Sequence, residues 1–173
     1  MVLHRSAEIT EGVFFYLWVG QGINSNSVVL ANVLDGPAAH ILVDPGMTHG
    51  AMGERPLDSL VEAMAADGLR LEDVGLVFGT HSHPDHFQAV DEVVRRTGAG
   101  VALSVPEYEF LTGVGGSFYG SFGTRLPATK PTVLLQEGPL DAVNHVVAPI
   151  NIPEEYKEYY LHRGIRLYDV ALD

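Results

Sequence analysis

Four side chains that could bind a metal ion fall within one short run of this sequence. They are His81, His83, Asp85 and His86, in the heptapeptide Thr-His-Ser-His-Pro-Asp-His. Imidazole and carboxylate are ligands that zinc, iron and manganese share. The first two histidines alternate along extended backbone and can point the same way, whereas Asp85 and His86 project from the start of a helix in another direction. One pair can therefore hold one ion, and the other pair a second ion close by.

The elements around this run place it at a junction between a strand and a helix. The apolar run 74–78 predicts a buried strand, and apolar residues at helical spacing after His86 predict a helix to about Thr97. Pro84 suits the first helical position, where its missing N–H costs nothing, and His83 then lies near the N-cap. Side chains at such a junction can converge on one point outside the sheet, which favours a metal site over a chance cluster.

The rest of the chain alternates between strand and helix patterns. We predict early strands that pair antiparallel, a helix from Pro56 that ends before Gly68, and a strand–helix–strand unit that contains the four ligands. Residues 8–19 are predicted as a strand or a hairpin, and single strands are predicted at 28–34, 40–43, 74–80, 101–105 and 132–135. A further helix is predicted from Pro153 to about Arg163. These patterns indicate an α/β (α+β) fold in a single domain, residues 1–173.

Composition and charge restrict the classes of function. Hydrophobic residues make up 46% of the chain, which allows a sizeable core. The formal charge of −12 repels phosphate backbones, so nucleic acid is a poor candidate for a partner. The absence of cysteine excludes disulfides and thiolate metal ligands. No long apolar segment follows the first residues, so we expect neither a signal peptide nor a membrane span, and we predict a cytoplasmic protein.

The His-x-His-x-Asp-His pattern of residues 81–86 after a hydrophobic strand resembles the signature of the metallo-β-lactamase superfamily. The resemblance extends upstream through residues 24–28 and 41–46 and covers the part of the chain from about 8 to 111. It implies an αββα sandwich with one or two metal ions at one edge, zinc or alternatively iron or manganese. By the same resemblance Asp44 would lie beneath the metals and orient the ligands. The alternative for Asp44 is a plain turn after a strand.

The second half of the family pattern is missing from this sequence. The family supplies a third histidine, a bridging aspartate and a final histidine further along, but beyond the first cluster only His145 and His162 remain. His145 is the candidate for the missing metal ligand, whereas His162 is interpreted as a charge at a helix C-terminus. The tail from about 140 to 173 diverges, so the second half of the sandwich is predicted to be shortened. The apolar sheet face exposed by this loss would need cover from the tail or from a second subunit of a homo-oligomer.

The resemblance implies a metal-dependent hydrolase that acts on a small-molecule ester, thioester, lactam or phosphoester. The metal would lower the pKa of a bound water and present hydroxide to the electrophilic carbon or phosphorus. Asp85 is the candidate catalytic residue, which could orient that water or carry its proton. Two alternatives remain open. One is a shortened, catalytically inactive relative acting as a binding or assembly module, and the other is an iron-dependent oxidoreductase of the same fold.

Two further segments could shape a substrate site. Residues 113–123 interleave glycines with aromatic side chains, including Tyr119. Such a segment is either a mobile loop that folds over an apolar substrate or a flexible connector. The loop at 47–55 carries His49, which either lines the mouth of the site or is simply exposed.

Overall fold

The computed structural model describes residues 2–136, which belong to one compact unit ending at Gln136. Its strands are β1 (His4–Thr10), β2 (Val13–Trp18), β3 (Ser27–Leu30), β4 (His40–Val43), β5 (Val74–Phe78), β6 (Gly100–Ser104) and β7 (Val133–Leu135). Its α-helices are α1 (Pro56–Ala66), α2 (Pro84–Phe87), α3 (Val90–Thr97), α4 (Val105–Phe110) and α5 (Gly116–Ser121). A 3-10 turn covers Leu71–Asp73 and a π-helical turn covers Leu111–Gly115. The predicted mixture of strands and helices is confirmed.

The seven strands form one sheet in chain order. Strands β1 to β4 pair antiparallel, as expected from the sequence, and β4 to β7 pair parallel. Val43, Phe78 and Ala102 are in register near the ends of β4, β5 and β6. Because the carboxyl ends of parallel strands meet at one edge, where open α/β sheets bind ligands, the residues that follow these strands come together there.

One face of the sheet packs into a core with the helices. Val29, Leu42 and Val77 are fully buried on successive strands and belong to one cluster with Met64 of α1 and Phe87 of α2. This burial fixes α1 and α2 against the sheet, because each fully buried side chain of this size contributes about 1.5–3 kcal/mol. The start of α2 is thereby held at the sheet edge.

The opposite face of the sheet is also apolar but only half-buried. Val28, Val43 and Phe78 are aligned across β3, β4 and β5, and a second aligned row contains Leu30, Ile41 and Leu76. Within residues 2–136 these side chains form a continuous apolar surface. This is the face for which the sequence predicted cover from the tail or from a second subunit, and that prediction stays untested.

The predicted helix to Thr97 is interrupted, so the expectation of one continuous helix was wrong. Helix α2 ends at Phe87 and α3 begins at Val90. Between them the backbone N–H of Ala89 donates to the carbonyl of Gly46 at 2.8 Å instead of continuing the helical pattern. A tertiary hydrogen bond from the turn after β4 therefore ends the first segment.

The expectation that residues 113–123 form a mobile loop or a flexible connector was also wrong. The segment is helical, first in a π-turn and then in α5. Tyr119 is fully buried and Phe118 packs against the core. Packing of these aromatic rings outweighs the low helix propensity of the glycines, each of which costs about 1 kcal/mol relative to alanine.

The C-terminal predictions lie outside the described residues. They concern the tail helix, His145 and His162, so the single-domain organisation of residues 1–173 also stays a prediction. Within residues 2–136, none of the helices has the length and apolar character needed to cross a bilayer.

Candidate metal centre

The turn between β5 and α2 carries the four predicted ligands. His83 has extended backbone with φ −68° and ψ 152° and is the N-cap of α2, and Pro84 takes the first helical position. Both placements agree with the local prediction, because proline is preorganised for that position. His83 is exposed, whereas His81, Asp85 and His86 are half-buried.

The three histidine rings lie in contact. The ring centroid of His81 is 3.9 Å from that of His86 and 4.7 Å from that of His83. Asp85 is next to this group, with its Oδ2 atom 3.5 Å from Nε2 of His86. The structure therefore brings together all four residues singled out in the sequence, and His81 is the central ring.

Asp44 supports this group from behind. Its Oδ2 atom accepts a hydrogen bond from Nδ1 of His86 at 2.8 Å and one from the Thr80 hydroxyl at 2.6 Å, and its Oδ1 atom accepts from the Thr80 backbone N–H at 2.8 Å. Asp44 is 5% exposed, and its backbone has φ +51°. In neutral His86 this contact places the ring proton on Nδ1, which leaves Nε2 as the lone-pair donor for a metal.

The surroundings shift the pKa values of two histidines in opposite directions. Burial lowers the pKa of His81, and the neighbouring His86 and His83 lower it further. Burial would also lower the pKa of His86, but the hydrogen bond and charge of Asp44, with the charge of Asp85, outweigh it and raise this pKa. His81 is thus held in the neutral form, which is the form of imidazole that binds a metal.

Backbone hydrogen bonds hold the start of α2 on two neighbouring loops. The N–H of Ser25 donates to the carbonyl of Asp85 at 2.9 Å, and the N–H of Gly46 donates to the carbonyl of His86 at 3.0 Å. Asn24 joins the two loops, because its Oδ1 atom accepts from the N–H of Met47 at 2.8 Å. Both upstream segments that carried the family resemblance therefore contact the ligand-bearing turn.

Ser82, between the first two histidines, is anchored by Glu107, which the sequence analysis did not identify, and by Tyr119. Glu107 Oε2 accepts from the Ser82 N–H at 2.7 Å and from its hydroxyl at 2.6 Å. The Tyr119 hydroxyl donates to the Ser82 carbonyl at 2.8 Å. Burial, followed by the charges of Asp85, Glu107 and Asp91, raises the pKa of Tyr119, so the phenol stays protonated. Tyr119 is thus a buried anchor of the turn, and no local sequence pattern indicates this contact.

A row of aromatic rings leads away from His83. Phe118 lies 4.9 Å from the His83 ring between centroids, and Phe110 and Phe122 lie 5.3 and 5.2 Å from Phe118. These spacings are typical of interacting aromatic pairs. The row ends at Phe122, whose side chain is 53% exposed.

A cleft of about 410 Å³ opens beside Asp85. The loop after β4 and the segment after α5 contribute most of its walls. Its lining includes Ile23, Met47, Thr48, His49, Asp85, Gln88, Phe122 and Arg125. His49 is exposed and also lines the cleft. The cleft has the size of a small-molecule site.

The donor chemistry fits a divalent metal, but the described residues do not complete its coordination. Among residues 2–136, no group of three or more histidine, aspartate or glutamate side chains is arranged to hold an ion. The orientation of His86 by Asp44 and the neutral state of His81 suit ligation. Further ligands would have to come from outside this part of the chain, where His145 remains the candidate. The assignment of the ligands stays a prediction.

Comparison with known proteins identifies the family. The sequence profile of the metallo-beta-lactamase superfamily matches residues 20–158. Among solved structures, a metallo-beta-lactamase of Cronobacter sakazakii with a HARLDQ motif is 24% identical with a TM-score of 0.58, covering 78% of this chain and 48% of that chain. BJP-1, a subclass B3 metallo-beta-lactamase of Bradyrhizobium japonicum, is 21% identical with a TM-score of 0.57, covering 77% and 46%.

These structural similarities show the fold and also a difference in length. FEZ-1 from Legionella gormanii shares 14% identity at a TM-score of 0.55, and this chain covers 44% of it. The chain thus spans about half the length of the solved structures it matches. The profile match covers most of the sequence and includes the ligand-bearing turn. On this evidence the chain belongs to the metallo-beta-lactamase superfamily.

Proposed function

We propose that this chain is a metal-dependent hydrolase of small molecules that carry an ester, thioester, lactam or phosphoester bond. The main support is the arrangement of His86, whose Nδ1 atom is held by Asp44 at 2.8 Å while its Nε2 atom faces Asp85. A buried carboxylate that orients an imidazole is a recurrent companion of metal-binding histidines. The adjacent cleft supplies room for a substrate beside Asp85.

The predicted ligands divide into two pairs. His81 and His83 would hold one zinc ion, and Asp85 and His86 a second, with His145 as the candidate for a further ligand. When bound, a metal ion here supplies a nucleophile at neutral pH by lowering the pKa of water. Iron and manganese accept the same donor types, so they are the alternative metals.

The protein's own side chains would orient the reacting groups and exclude water from the cleft. Asp85 lines the cleft, so its carboxylate is positioned to hold or carry a proton during attack on the substrate. Ser82 is fixed by Glu107 and Tyr119, which limits the freedom of the histidines on either side of it. The Phe122 ring, which lines the cleft and packs against Phe118, would keep water from one side of the substrate.

A second candidate is a catalytically inactive relative that acts as a binding or assembly module. Two observations favour it. Within residues 2–136, no three of the candidate ligands are arranged to hold an ion. They also present a half-buried apolar sheet face, with Val28, Val43 and Phe78 in one row, that a second copy could cover. The homo-oligomer and the cytoplasmic location stay predictions, and analytical ultracentrifugation tests the former. The iron-dependent oxidoreductase would contain iron in place of zinc, so elemental analysis distinguishes it from the zinc-dependent hydrolase.

The deciding experiment is metal content per chain, measured by elemental analysis of the purified 173-residue chain. One or two zinc ions per chain, reduced in His81→Ala but not in His49→Ala, would support the hydrolase. A chain that stays free of metal after reconstitution, and that hydrolyses none of the four substrate classes, would favour the assembly module. Comparison of the His145→Ala and His162→Ala variants tests the predicted ligand against the histidine interpreted as a helix C-terminal charge. Only the first should lower the metal content if the sequence-based assignment is right.

A further inference from the structure

The cleft beside Asp85 contains one guanidinium. Arg125 lines it, and the other titratable groups of the lining are Asp85 and His49. Within residues 2–136, Arg125 forms no salt bridge. The chain as a whole is acidic, with a formal charge of −12, so this arginine adds a positive group to a mostly negative protein. Arg125 is exposed, so its guanidinium is accessible to an anion that the acidic surface repels elsewhere.

The backbone that follows Arg125 is fixed by packing and by hydrogen bonds. The next residue, Leu126, packs against the hydrophobic core. The N–H groups of Ala128 and Thr129 donate to the carboxylate of Asp91 in α3 at 2.9 and 2.8 Å. The arginine is therefore presented from an anchored segment.

The facing loops are anchored as well. Gln88 Oε1 accepts from the N–H and hydroxyl of Thr48 at 2.8 and 3.0 Å, which ties the loop after β4 to the end of α2. Glu54 accepts from the N–H groups of Gly22 and Met52 at 2.8 and 3.0 Å, next to Ile23 in the lining. A cleft with fixed walls is preformed, which lowers the entropic cost of binding a small molecule.

The rest of the lining is mainly apolar. Ile23, Met47, Ala51 and Phe122 contribute to it. The side chains of Ile23 and Phe122 are 67% and 53% exposed, so both are accessible to a ligand. The cleft therefore offers an apolar surface and one positive group, with Asp85 at the boundary to the histidine cluster.

We propose that the cleft binds small carboxylates that carry an aromatic or alkyl group, with the carboxylate on Arg125 and the apolar group against Phe122 and Ile23. This substrate class rests on the proposed hydrolase function, because it makes the scissile bond part of an anionic substrate. Arginine suits this role, since its planar fork matches the two oxygens of a carboxylate. Asp85 and the substrate carboxylate are both negative and repel each other, which favours binding of the carboxylate at Arg125. Asp85 then remains available to act on the scissile bond.

Binding of 3-phenylpropionate and its neutral analogue 3-phenylpropionamide to the full chain tests the proposal. Chemical-shift changes are measured by NMR on the protein as purified and again after chelation, so that direct binding to a metal is separated from binding to arginine. We expect the acid to bind about tenfold more tightly than the amide in both states. Arg125→Gln should remove this preference without weakening the amide. Phe122→Ala should weaken both ligands.

Arg5→Gln is the matched control, because Arg5 is an exposed arginine on β1 outside the cleft lining. Equal binding of acid and amide, or an unchanged preference in Arg125→Gln, would overturn the proposal. If the chain contains no metal and hydrolyses nothing but still binds the acid more tightly than the amide, the carboxylate site is supported and the hydrolase is rejected. Hydrolysis of neutral and anionic esters at equal rates, unaffected by Arg125→Gln, would support the hydrolase and reject the carboxylate site.

Discussion

Nδ1 of His86 donates to Oδ2 of Asp44 at 2.8 Å, joining the first turn of α2 to the end of β4 across 42 residues of chain. The aspartate also accepts two hydrogen bonds from Thr80. Its φ of +51° is a conformation that aspartate and asparagine adopt more readily than other non-glycine residues. One residue type therefore meets two requirements here, a backbone turn and a carboxylate beneath the imidazole.

Asp44→Asn should change the tautomer of His86 without disturbing the turn. Asparagine tolerates the same backbone, and with its Oδ1 atom kept on the Thr80 N–H its NH₂ group faces His86. An NH₂ group cannot accept the Nδ1 proton, so the ring proton moves to Nε2 and blocks the nitrogen left for a metal. We expect the metal affinity to fall about 10–100-fold, as for other supports of metal-bound histidines. Nitrogen-15 NMR of the chelated protein reads the tautomer directly. Asp35→Asn, in an exposed turn, is the control, and an unchanged tautomer in Asp44→Asn would contradict the prediction.

Tyr119→Phe should destabilise the ligand-bearing turn. The change removes the 2.8 Å hydrogen bond to the Ser82 carbonyl and leaves a buried acceptor without its partner. The free energy of unfolding should fall by about 1–3 kcal/mol, measured by urea denaturation. The imidazole NMR signals of the histidines flanking Ser82 should also shift, a readout that a remote packing defect would not change. Tyr108→Phe is the control, since Tyr108 is half-buried and its hydroxyl makes no hydrogen bond within residues 2–136. Equal effects of the two variants would argue against an anchoring role.

The turn between β5 and α2 could be predicted from sequence because its signals are local. An apolar strand, then alternating histidines, then a proline at the first helical position specify a strand-to-helix junction without reference to the rest of the chain. The structure has the helix start at Pro84 with His83 as N-cap. The element bounds of β4 and the start of α1 at Pro56 were equally local and agree with the prediction.

The features that sequence reasoning missed depend on contacts between distant residues. Glu107 and Tyr119 reach Ser82 from 25 and 37 residues away, and no sequence pattern indicates either contact. The glycine-rich segment was predicted as loop because glycine disfavours helix, but the burial of its aromatic side chains decided otherwise. The break after α2 comes from a carbonyl on Gly46, which has no signature in the helix sequence itself.

Gly46→Ala should lower the free energy of unfolding more than Gly98→Ala, although the two substitutions cause similar backbone strain. Gly46 and Gly98 have φ of +75° and +71°, so alanine costs about 1–2 kcal/mol of strain at either position. A Cβ at Gly46 would lie 2.5 Å from Oδ1 of Asn24, whereas at Gly98 nothing lies within 4 Å. Urea denaturation should show the larger loss for Gly46→Ala, accompanied by a loss of metal affinity. Equal losses in the two variants would show that the contact with Asn24 is not a constraint.

His4 should make the fold sensitive to acid. His4, the first residue of β1, is 5% exposed, with Nδ1 3.1 Å from the hydroxyl of Ser59 in α1, and burial lowers its pKa to about 4. The unfolded chain has the ordinary value of about 6.5, so it binds a proton more readily than the folded protein below that pH. The stability that depends on neutral His4 is therefore fully present above pH 6.5 and is lost as the pH falls toward 4, by up to about 3 kcal/mol.

The slope of unfolding free energy against pH measures this contribution. Between pH 6.5 and 4, His4→Gln should show a shallower slope than the parent protein, because glutamine has no proton to gain and retains a polar partner for Ser59. Its stability at pH 7.5 should be lower than that of the parent, since the packing of the imidazole against Trp18, at 5.1 Å between ring centroids, is lost. His49→Gln removes an exposed histidine and should leave the slope unchanged. A parent-like slope in His4→Gln would assign the acid sensitivity to other groups.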